Sequence, residues 1–179
     1  MIVAIGGTPG SGKTTVAERF AKARGYALVS AGTMFREMAA ARGMDLDALG
    51  QEAERDHAID RELDRRVLEE ILRQDAFGND VIVDGRLQGI LLTQRGVPCL
   101  KVWIDAPLEV RAIRVAGREG TTAKEAMESI VRRERSERVR YKAIYGIDLG
   151  DTRPYDLVID SRDQAPEAIV AMIGSRVGG

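Results

Sequence analysis

The feature that most constrains this chain is a glycine-rich stretch near its start, Gly6-Gly7-Thr8-Pro9-Gly10-Ser11-Gly12-Lys13-Thr14-Thr15. From Gly7 onward its spacing fits the phosphate-binding pattern G-x-x-x-x-G-K-[ST]. Four apolar residues precede it and a helix-compatible run follows it, which is the strand-loop-helix context that the motif requires. The alternative is a glycine-rich turn without a ligand. Because all four motif positions are filled and both flanks fit, we favour a phosphate-binding loop.

Each residue type in this loop has a chemical reason to be there. Glycines allow backbone N–H groups to turn inward around anionic oxygens, and the following helix N-terminus adds unpaired N–H groups and partial positive charge. Lys13 supplies a full charge to the terminal phosphates, and the Thr14 hydroxyl is placed to ligate Mg²⁺. The loop alone does not distinguish kinases, switches and motors. The predicted phosphate-binding residues are Gly7, Thr8, Pro9, Gly10, Ser11, Gly12, Lys13, Thr14 and Thr15.

Composition excludes several classes of protein. A chain of 179 residues suits one domain with a single sizeable core. The formal net charge of −1 provides no basic field for nucleic acid or for an anionic membrane. Cys99 is the only cysteine, so no internal disulfide is possible and a reducing compartment is expected. No apolar run approaches the roughly 20 residues that span a bilayer, and residues 1–5 lack the basic region of a signal peptide. We therefore expect a cytoplasmic protein that binds neither nucleic acid nor membrane.

Short apolar runs alternate with stretches of helical periodicity, which is typical of a parallel sheet covered on both faces. The predicted strands are Ile2–Gly6, Tyr26–Ser30, Val81–Val83, Leu100–Ile104 and Leu157–Asp160. The predicted helices cover about 12–23, 34–38 with an end at Gly43, 46–53 with Asp45 as cap, 58–72, 87–94, 107–118, 122–145 and 166–176. Thr122 and Glu125 have the spacing of a capping box.

Five strands with crossover helices predict an α/β fold with an open, doubly wound, five-stranded parallel sheet. In such sheets, ligands collect at the carboxyl ends of the strands. The segments that follow strands one, two and three are the phosphate-binding loop, Ser30–Arg36 and Asp84-Gly85-Arg86. We expect these three segments to surround one crevice.

Three side chains at these strand ends are candidates for substrate and metal binding. Asp84 follows an apolar, β-branched run, and a carboxylate beside a phosphate-binding loop can hold Mg²⁺, usually through water. Arg36 and Arg86 come from two different loops at the same edge. Two such arginines can clamp a second anionic substrate through bidentate hydrogen bonds. The pattern therefore indicates two substrates.

Five arginines lie within residues 132–140. One interpretation is a solvated helix face crossed by salt bridges, and another is a nucleic-acid patch, which the interleaved acidic residues disfavour. We favour a helical lid, because Arg133 and Arg140 are two turns apart on one face and can both reach a transferring phosphate when the segment closes. Glycines flank this helix and are candidate hinges, namely Gly117, Gly120, Gly146 and Gly150.

Taken together, these segments resemble the small archaeal-type cytidylate kinases of the nucleoside monophosphate kinase group. The resemblance runs almost end to end. Its most selective parts are Ala31–Ala39 and Glu134–Asp148. The matching segments are Ile5–Thr15, Ala31–Ala39 with Gly43-Met44-Asp45-Leu46, Asp84-Gly85-Arg86-Leu87, Asp105–Arg111, Glu134–Asp148 and Tyr155–Asp160.

The resemblance implies ATP-dependent, Mg²⁺-assisted phosphorylation of CMP and dCMP on a P-loop NTPase fold with strand order 2-3-1-4-5. It implies that Arg36 binds the acceptor phosphate and that Arg86 contacts the acceptor nucleotide. The implied catalytic residues are Lys13, Arg86, Arg133 and Arg140, and the implied metal ligands are Thr14 and Asp84. We expect a monomer with one domain over 1–179, an acceptor-binding region at about 31–78 and a lid at about 117–150.

Two residues depart from related kinases. Leu87 stands where bacterial cytidylate kinases usually carry Asp, and Ala31 stands where related kinases carry a hydroxyl residue. Base recognition therefore requires other groups, because Ala31 has no polar side chain. The candidates are Asp60, Arg61, Asp64 and Arg65.

Other functions remain open at this point. An adenylate kinase or another small-acceptor kinase would have the same loop and the same scaffold. A nucleotide-dependent switch or an RNA-linked binding module is a hypothesis from another class. The sequence disfavours a GTPase switch, because it contains no Asn-Lys-x-Asp motif and no Asp-x-x-Gly after strand three.

Overall fold

Five parallel strands form the centre of the structure, a computed structural model that describes residues 1–178. Their order across the sheet is β2-β3-β1-β4-β5, and each neighbouring pair is parallel. The strands are β1 (Ile2–Gly7), β2 (Ala27–Ser30), β3 (Val81–Asp84), β4 (Leu100–Asp105) and β5 (Leu157–Asp160). The helices are α1 (Lys13–Arg24), α2 (Ala31–Ala41), α3 (Leu46–Arg55), α4 (Ala58–Ala76), α5 (Gln88–Gln94), α6 (Leu108–Glu119), α7 (Ala123–Tyr145) and α8 (Pro166–Gly174). The predicted fold class and strand order are confirmed.

Helices cover the sheet on both faces because its central strand is apolar on both faces. Successive side chains of a strand point to opposite sides, and every residue of β1 is buried. Val3 and Ile5 pack with residues of α1 and α8, among them Phe20, Ile169 and Ile173. Ile2 and Ala4 pack with residues of α2, α3, α4 and α5, among them Met38, Leu49, Val67, Ile71 and Leu92. The sheet therefore lies between two apolar layers.

The long helix α7 extends beyond the sheet and joins two other parts of the molecule. Its first half packs on α6, where Ala126 and Ile130 meet Ala112 and Val115. In its second half, Tyr141 packs against Leu87, just before α5, and against Leu91, within α5. One continuous helix thus connects the region after β4 with the region after β3.

Two predicted helix starts are confirmed in atomic detail. Asp45 caps α3 by accepting a hydrogen bond from the backbone N–H of Ala48 at 2.7 Å. At α7 the capping box is complete, because Thr122 Oγ1 accepts from the N–H of Glu125 at 3.2 Å and Glu125 Oε2 accepts from the N–H of Thr122 at 2.8 Å. These bonds pair N–H groups that have no partner inside the helix.

Several predicted boundaries differ by a few residues from the structure. Helix α4 continues to Ala76, four residues past the predicted end, because helical periodicity reports only the buried face and the last turn is polar and exposed. Helix α8 ends at Gly174, before the predicted end at residue 176. Strand β2 begins at Ala27, one residue after the predicted start. Within residues 1–178, no helix is both long enough and apolar enough to cross a membrane.

Candidate active site

The phosphate-binding loop occupies the turn between β1 and α1, and its conformation requires glycine. Gly7 has a φ of 154°, and a Cβ added there would lie 2.2 Å from the carbonyl oxygen of Ile104. Gly10 has a φ of 80°, and its Cβ would lie 2.9 Å from the carbonyl oxygen of Arg111. No other residue type fits so close to the backbone of β4 and α6. The loop is therefore pressed against those elements, with the N-terminus of α1 behind it.

The carboxyl ends of β1, β2 and β3 lie side by side, as predicted. In the register of the sheet, Asp84 is the partner of Ile5 on one side and of Ser30 on the other. Asp84 is buried, and its Oδ2 accepts a hydrogen bond from Thr14 Oγ1 at 2.7 Å. The two predicted metal ligands are thus brought together.

The donor atoms at this point fit Mg²⁺. Among the described residues, Asp84 Oδ1 is buried without a hydrogen-bond partner, and a carboxylate and a hydroxyl are hard oxygen donors. Within residues 1–178, no group of three or more His, Cys, Asp or Glu side chains has the arrangement of a metal site. Mg²⁺ suits a site with few protein ligands, because it keeps several waters and binds substrate phosphates.

Lys13 lies at the start of α1, where several charges act on it. Burial, Arg86 and Arg133 together lower its pKa from 10.5 to about 8, whereas Asp84 and Glu137 oppose the shift. The positive charges around Lys13 therefore outweigh the negative ones. Oxygens of a bound phosphate would add negative charge and raise this pKa again.

Arg86, which follows β3, reaches both the phosphate-binding loop and α7. It is 8% exposed, and its Nη1 donates a hydrogen bond to the carbonyl oxygen of Gly7. Its Nε lies 2.8 Å from Glu137 Oε2, and Nη2 is buried with no hydrogen-bond partner in the described part of the chain. The hydroxyl of Tyr155 donates to its carbonyl oxygen at 3.3 Å. Nε makes no hydrogen bond within the described residues either, so the structure places Arg86 beside the loop with its Nε held by an ion pair and its Nη2 free.

Arg133 reaches the same place from α7 through Glu137, a residue that sequence reasoning did not identify. Arg133 Nε donates to Glu137 Oε1 at 2.9 Å, one helical turn away. Burial alone would raise the pKa of Glu137, but Arg86 and Arg133 outweigh burial and lower that pKa to about 2. Glu137 is therefore ionised and shared by two arginines.

Arg140, the second predicted lid arginine, binds a residue of α4, a helix in the predicted acceptor-binding region. Its Nε donates to Asp60 Oδ2 at 2.8 Å and its Nη1 donates to Ser136 Oγ at 2.6 Å. Both Arg140 and Asp60 are buried. Burial raises the pKa of Asp60, although Arg140 acts against the shift. Their predicted contacts with substrate stay predictions, and in this structure the two side chains bind each other.

Asp64, the other carboxylate predicted to bind the acceptor nucleotide, also has side-chain partners within the protein. It accepts hydrogen bonds from the Tyr145 hydroxyl and, at 3.2 Å, from Gln88 Nε2. Burial raises the pKa of Asp64 to about 6. Arg61, three residues before it on α4, and Arg65, the residue directly after it, are exposed. The roles of these residues in base recognition stay predictions.

Arg36 lies at the same edge of the sheet but apart from the buried ion pairs. It is exposed on α2, and its Nη2 donates to Thr33 Oγ1 at 3.0 Å. Ser30 caps this helix by accepting from the N–H of Thr33 at 3.2 Å. Because β2 ends beside β3, Arg36 is near the crevice and open to solvent, as an acceptor-binding residue has to be.

Arg111 on α6 was also missed, and it connects the loop to the helix that carries the arginines. Its side chain is buried and donates to the carbonyl oxygens of Ala106 at 2.8 Å and Pro9 at 3.1 Å. It also donates to Glu134 Oε1 on α7 at 2.7 Å. Arg114 and Ser161 act similarly, because both donate to the carbonyl oxygen of Ser11, at 3.3 Å and 2.8 Å. The Asp105–Arg111 segment carried part of the family resemblance, but no spacing rule indicated these contacts.

Comparisons with known proteins identify one family that is similar to this chain. A sequence model of the cytidylate kinase-like family matches residues 2–163. The cytidylate kinase of Methanocaldococcus jannaschii is 44% identical over 178 residues, covering 99% of this chain and 97% of that protein. The cytidylate kinase of Methanopyrus kandleri is 46% identical over 168 residues, covering 90% and 84%.

Solved structures show the same fold at lower identity. An uncharacterized protein from Eubacterium ventriosum superposes with a TM-score of 0.72 at 21% identity, covering 99% of this chain and 98% of that one. A shikimate kinase from Bacteroides thetaiotaomicron superposes with a TM-score of 0.60 at 18% identity, also covering 99% and 98%. The family match over most of the chain and the identities above 40% are decisive: this chain belongs to the cytidylate kinase-like family.

Proposed function

We propose that this chain is a cytidylate kinase, which transfers the terminal phosphoryl group of ATP to CMP and dCMP. The observation that carries the proposal is the meeting of a phosphate-binding loop, the Thr14–Asp84 pair and Arg86 at one edge of the sheet. The archaeal relatives named above are themselves called cytidylate kinases, which supports CMP as the acceptor.

The two substrates would use different parts of the crevice. The loop from Gly7 to Thr15 would hold the ATP phosphates with inward N–H groups and the charge of Lys13. Arg36, which is exposed on α2, the helix that follows β2, would hold the phosphate of CMP. Arg86 lies between these two places and has a free donor for an oxygen of the transferring group.

Thr14 and Asp84 would hold Mg²⁺, Asp84 through water. When bound, the ion neutralises charge on the phosphate oxygens and orients them. Catalysis otherwise consists of positioning, stabilisation of charge and exclusion of water, and it needs no covalent intermediate. Helix α7 would exclude water as part of a lid at about 117–150, and the region at about 31–78 would bind the acceptor. A single domain and a monomeric state complete the proposal.

Initial rates with ATP and Mg²⁺ test the proposal when CMP, dCMP, UMP, AMP and shikimate are compared as acceptors. We expect the highest kcat/KM with CMP or dCMP. Equal or better use of AMP would show an adenylate kinase, and a preference for shikimate would show that the fold serves a different acceptor. ATP hydrolysis without acceptor is measured in parallel, and fast hydrolysis would favour a switch or motor.

A further inference from the structure

Glu137 is a buried carboxylate that links two arginines from distant parts of the chain. It is 6% exposed and lies in the middle of the arginine-rich part of α7. One carboxylate oxygen accepts from Arg133 Nε at 2.9 Å, and the other lies 2.8 Å from Arg86 Nε. One oxygen of Glu137 thus binds Arg133 through a hydrogen bond, and the other meets Arg86 in a close ion pair without hydrogen-bond geometry.

These contacts leave Nη2 of Arg86 and the outer end of Arg133 available, while Nη1 of Arg86 binds the phosphate-binding loop. Among residues 1–178, no hydrogen-bond partner meets Nη2 of Arg86, although that atom is buried. The Arg133 side chain is 56% exposed, so its outer end is open to a ligand. A buried donor without a partner is costly, and an oxygen of a substrate would remove that cost.

The cluster borders the phosphate-binding loop. Arg86 Nη1 donates to the carbonyl oxygen of Gly7, at the first position of the motif. Arg86, Asp84, Arg133 and Glu137 all influence the pKa of Lys13, so these five charges lie close together. Without Glu137, the three cations would have Asp84 as their remaining counter-charge, and the repulsion between Arg86 and Arg133 would increase.

We propose that Glu137 is a positioning residue for phosphoryl transfer. It holds Arg86 and Arg133 together at their Nε atoms, so that Nη2 of Arg86 and the outer nitrogens of Arg133 are already in place for the oxygens of the transferring group. Donors that are fixed in advance need no reorganisation when charge develops in the transition state. This inference rests on the proposed kinase activity. The alternative is that Glu137 is only a counter-charge that stabilises the folded protein.

A double-mutant cycle separates the two roles. Wild type, Glu137→Gln, Arg133→Gln and the double variant are assayed for kcat and for the KM of CMP and of ATP. We expect Glu137→Gln to lower kcat by about 10- to 100-fold and to change either KM less than about threefold. In the Arg133→Gln background the same change should lower kcat much less, because one of the two arginines that Glu137 positions is already absent.

Several outcomes would overturn the inference. Equal fold losses of kcat in both backgrounds, or a loss that appears in KM alone, would show a structural role. Exposed Glu128 on the same helix provides the matched control, and Glu128→Gln should keep kcat within about twofold of wild type. If Glu137→Gln does not fold, as judged by circular dichroism, the cycle is run with Glu137→Asp, whose shorter side chain cannot span both Nε atoms. Absence of CMP phosphorylation by wild type would instead refute the proposed function itself.

Discussion

Thr14 Oγ1 donates a hydrogen bond to Asp84 Oδ2 across 2.7 Å, although the two residues lie 70 positions apart in the chain. The contact joins the first turn of α1 to the end of β3. It places a hydroxyl and a carboxylate together at the base of the phosphate-binding loop. An oxygen site with one carboxylate leaves room for the waters and phosphate oxygens that Mg²⁺ prefers.

Asp84→Asn is expected to lower kcat by about 10- to 100-fold and to raise the Mg²⁺ concentration needed for half-maximal rate, because the neutral amide attracts the hydrated cation less. Rates measured across a Mg²⁺ titration check this. Asp80 is the control, since it is an exposed carboxylate just before β3 that pairs with the N-terminal amine at 2.6 Å. Asp80→Asn should leave the Mg²⁺ titration unchanged, and an unchanged titration for Asp84→Asn would refute the metal assignment.

Lys13→Ala is expected to lower kcat by about 10²- to 10³-fold, with a smaller effect on the KM of CMP. The reason is that the lost charge acts on the terminal phosphates of ATP and not on the acceptor. Steady-state kinetics with both substrates varied provide the measurement. Lys22→Ala, on the exposed face of the same helix, is the control and should resemble wild type. A selective rise in the KM of CMP would contradict the assignment of the loop to ATP.

Arg36→Ala is expected to raise the KM of CMP by roughly 10- to 100-fold and to leave the KM of ATP nearly unchanged. Hydrogen bonds to charged groups are worth about 1.5–3 kcal/mol, which gives that range. Arg42→Ala is the control, because Arg42 at the end of α2 binds Glu62 at 3.0 Å. If Arg36→Ala instead weakened ATP alone, the assignment of the two substrate regions would be reversed.

Arg111→Met is expected to lower the free energy of unfolding by about 3 kcal/mol, because two carbonyl acceptors in the loop region and the carboxylate of Glu134 lose their donor. Thermal and urea unfolding measure the change. The exposed Arg118 on the same helix pairs with its neighbour Glu119, so Arg118→Met should cost less than about 0.5 kcal/mol. Equal losses for the two variants would show that the contacts of Arg111 do not stabilise the loop.

Asp64 is expected to make stability fall as the pH rises from about 4 to 7. Burial raises its pKa from 3.8 in the unfolded chain to about 6, so between these values the folded state binds more protons. The stability that comes from the protonated form is complete below about pH 4 and is lost as the pH rises through 6. Relative to Asp64→Asn, wild type should lose about 1–3 kcal/mol over this range. Parallel stability curves for the two proteins would contradict this expectation.

The sequence allowed prediction of features that depend on local rules. The phosphate-binding loop follows from residue types at fixed spacing, and the cap at Asp45 and the capping box at Thr122 follow from bonds within three residues. The parallel arrangement of the strands was enough to predict the edge of the sheet where the candidate site lies, because the carboxyl ends of all the strands meet there. The strand order, in contrast, came from the family resemblance, because residue patterns do not specify which strands are neighbours.

The contacts that hold the site together were not predictable in this way. Glu137 and Arg111 are charged residues on helices, where a solvated position is the usual expectation. Each is buried only because a distant partner meets it, Arg86 in the first case and Pro9 in the second. Asp60 was predicted as a candidate for base recognition, which stays a prediction, and its contact with Arg140, 80 residues away, was not foreseen. Such pairings depend on how helices pack, and packing is a property of the whole fold.

Besides the contacts of Glu137, helix α7 makes ion pairs with two different elements, α6 and α4. Near its middle, Glu134 binds Arg111 beside the phosphate-binding loop, and further along Arg140 binds Asp60 on α4. A rigid rod fixed at both points transmits displacement: α4 cannot shift relative to the loop unless α7 follows or one ion pair opens. In the proposed kinase, a nucleotide bound near α4 and a nucleotide bound by the loop would be coupled through α7, and by thermodynamic reciprocity each would change the affinity for the other by the same factor.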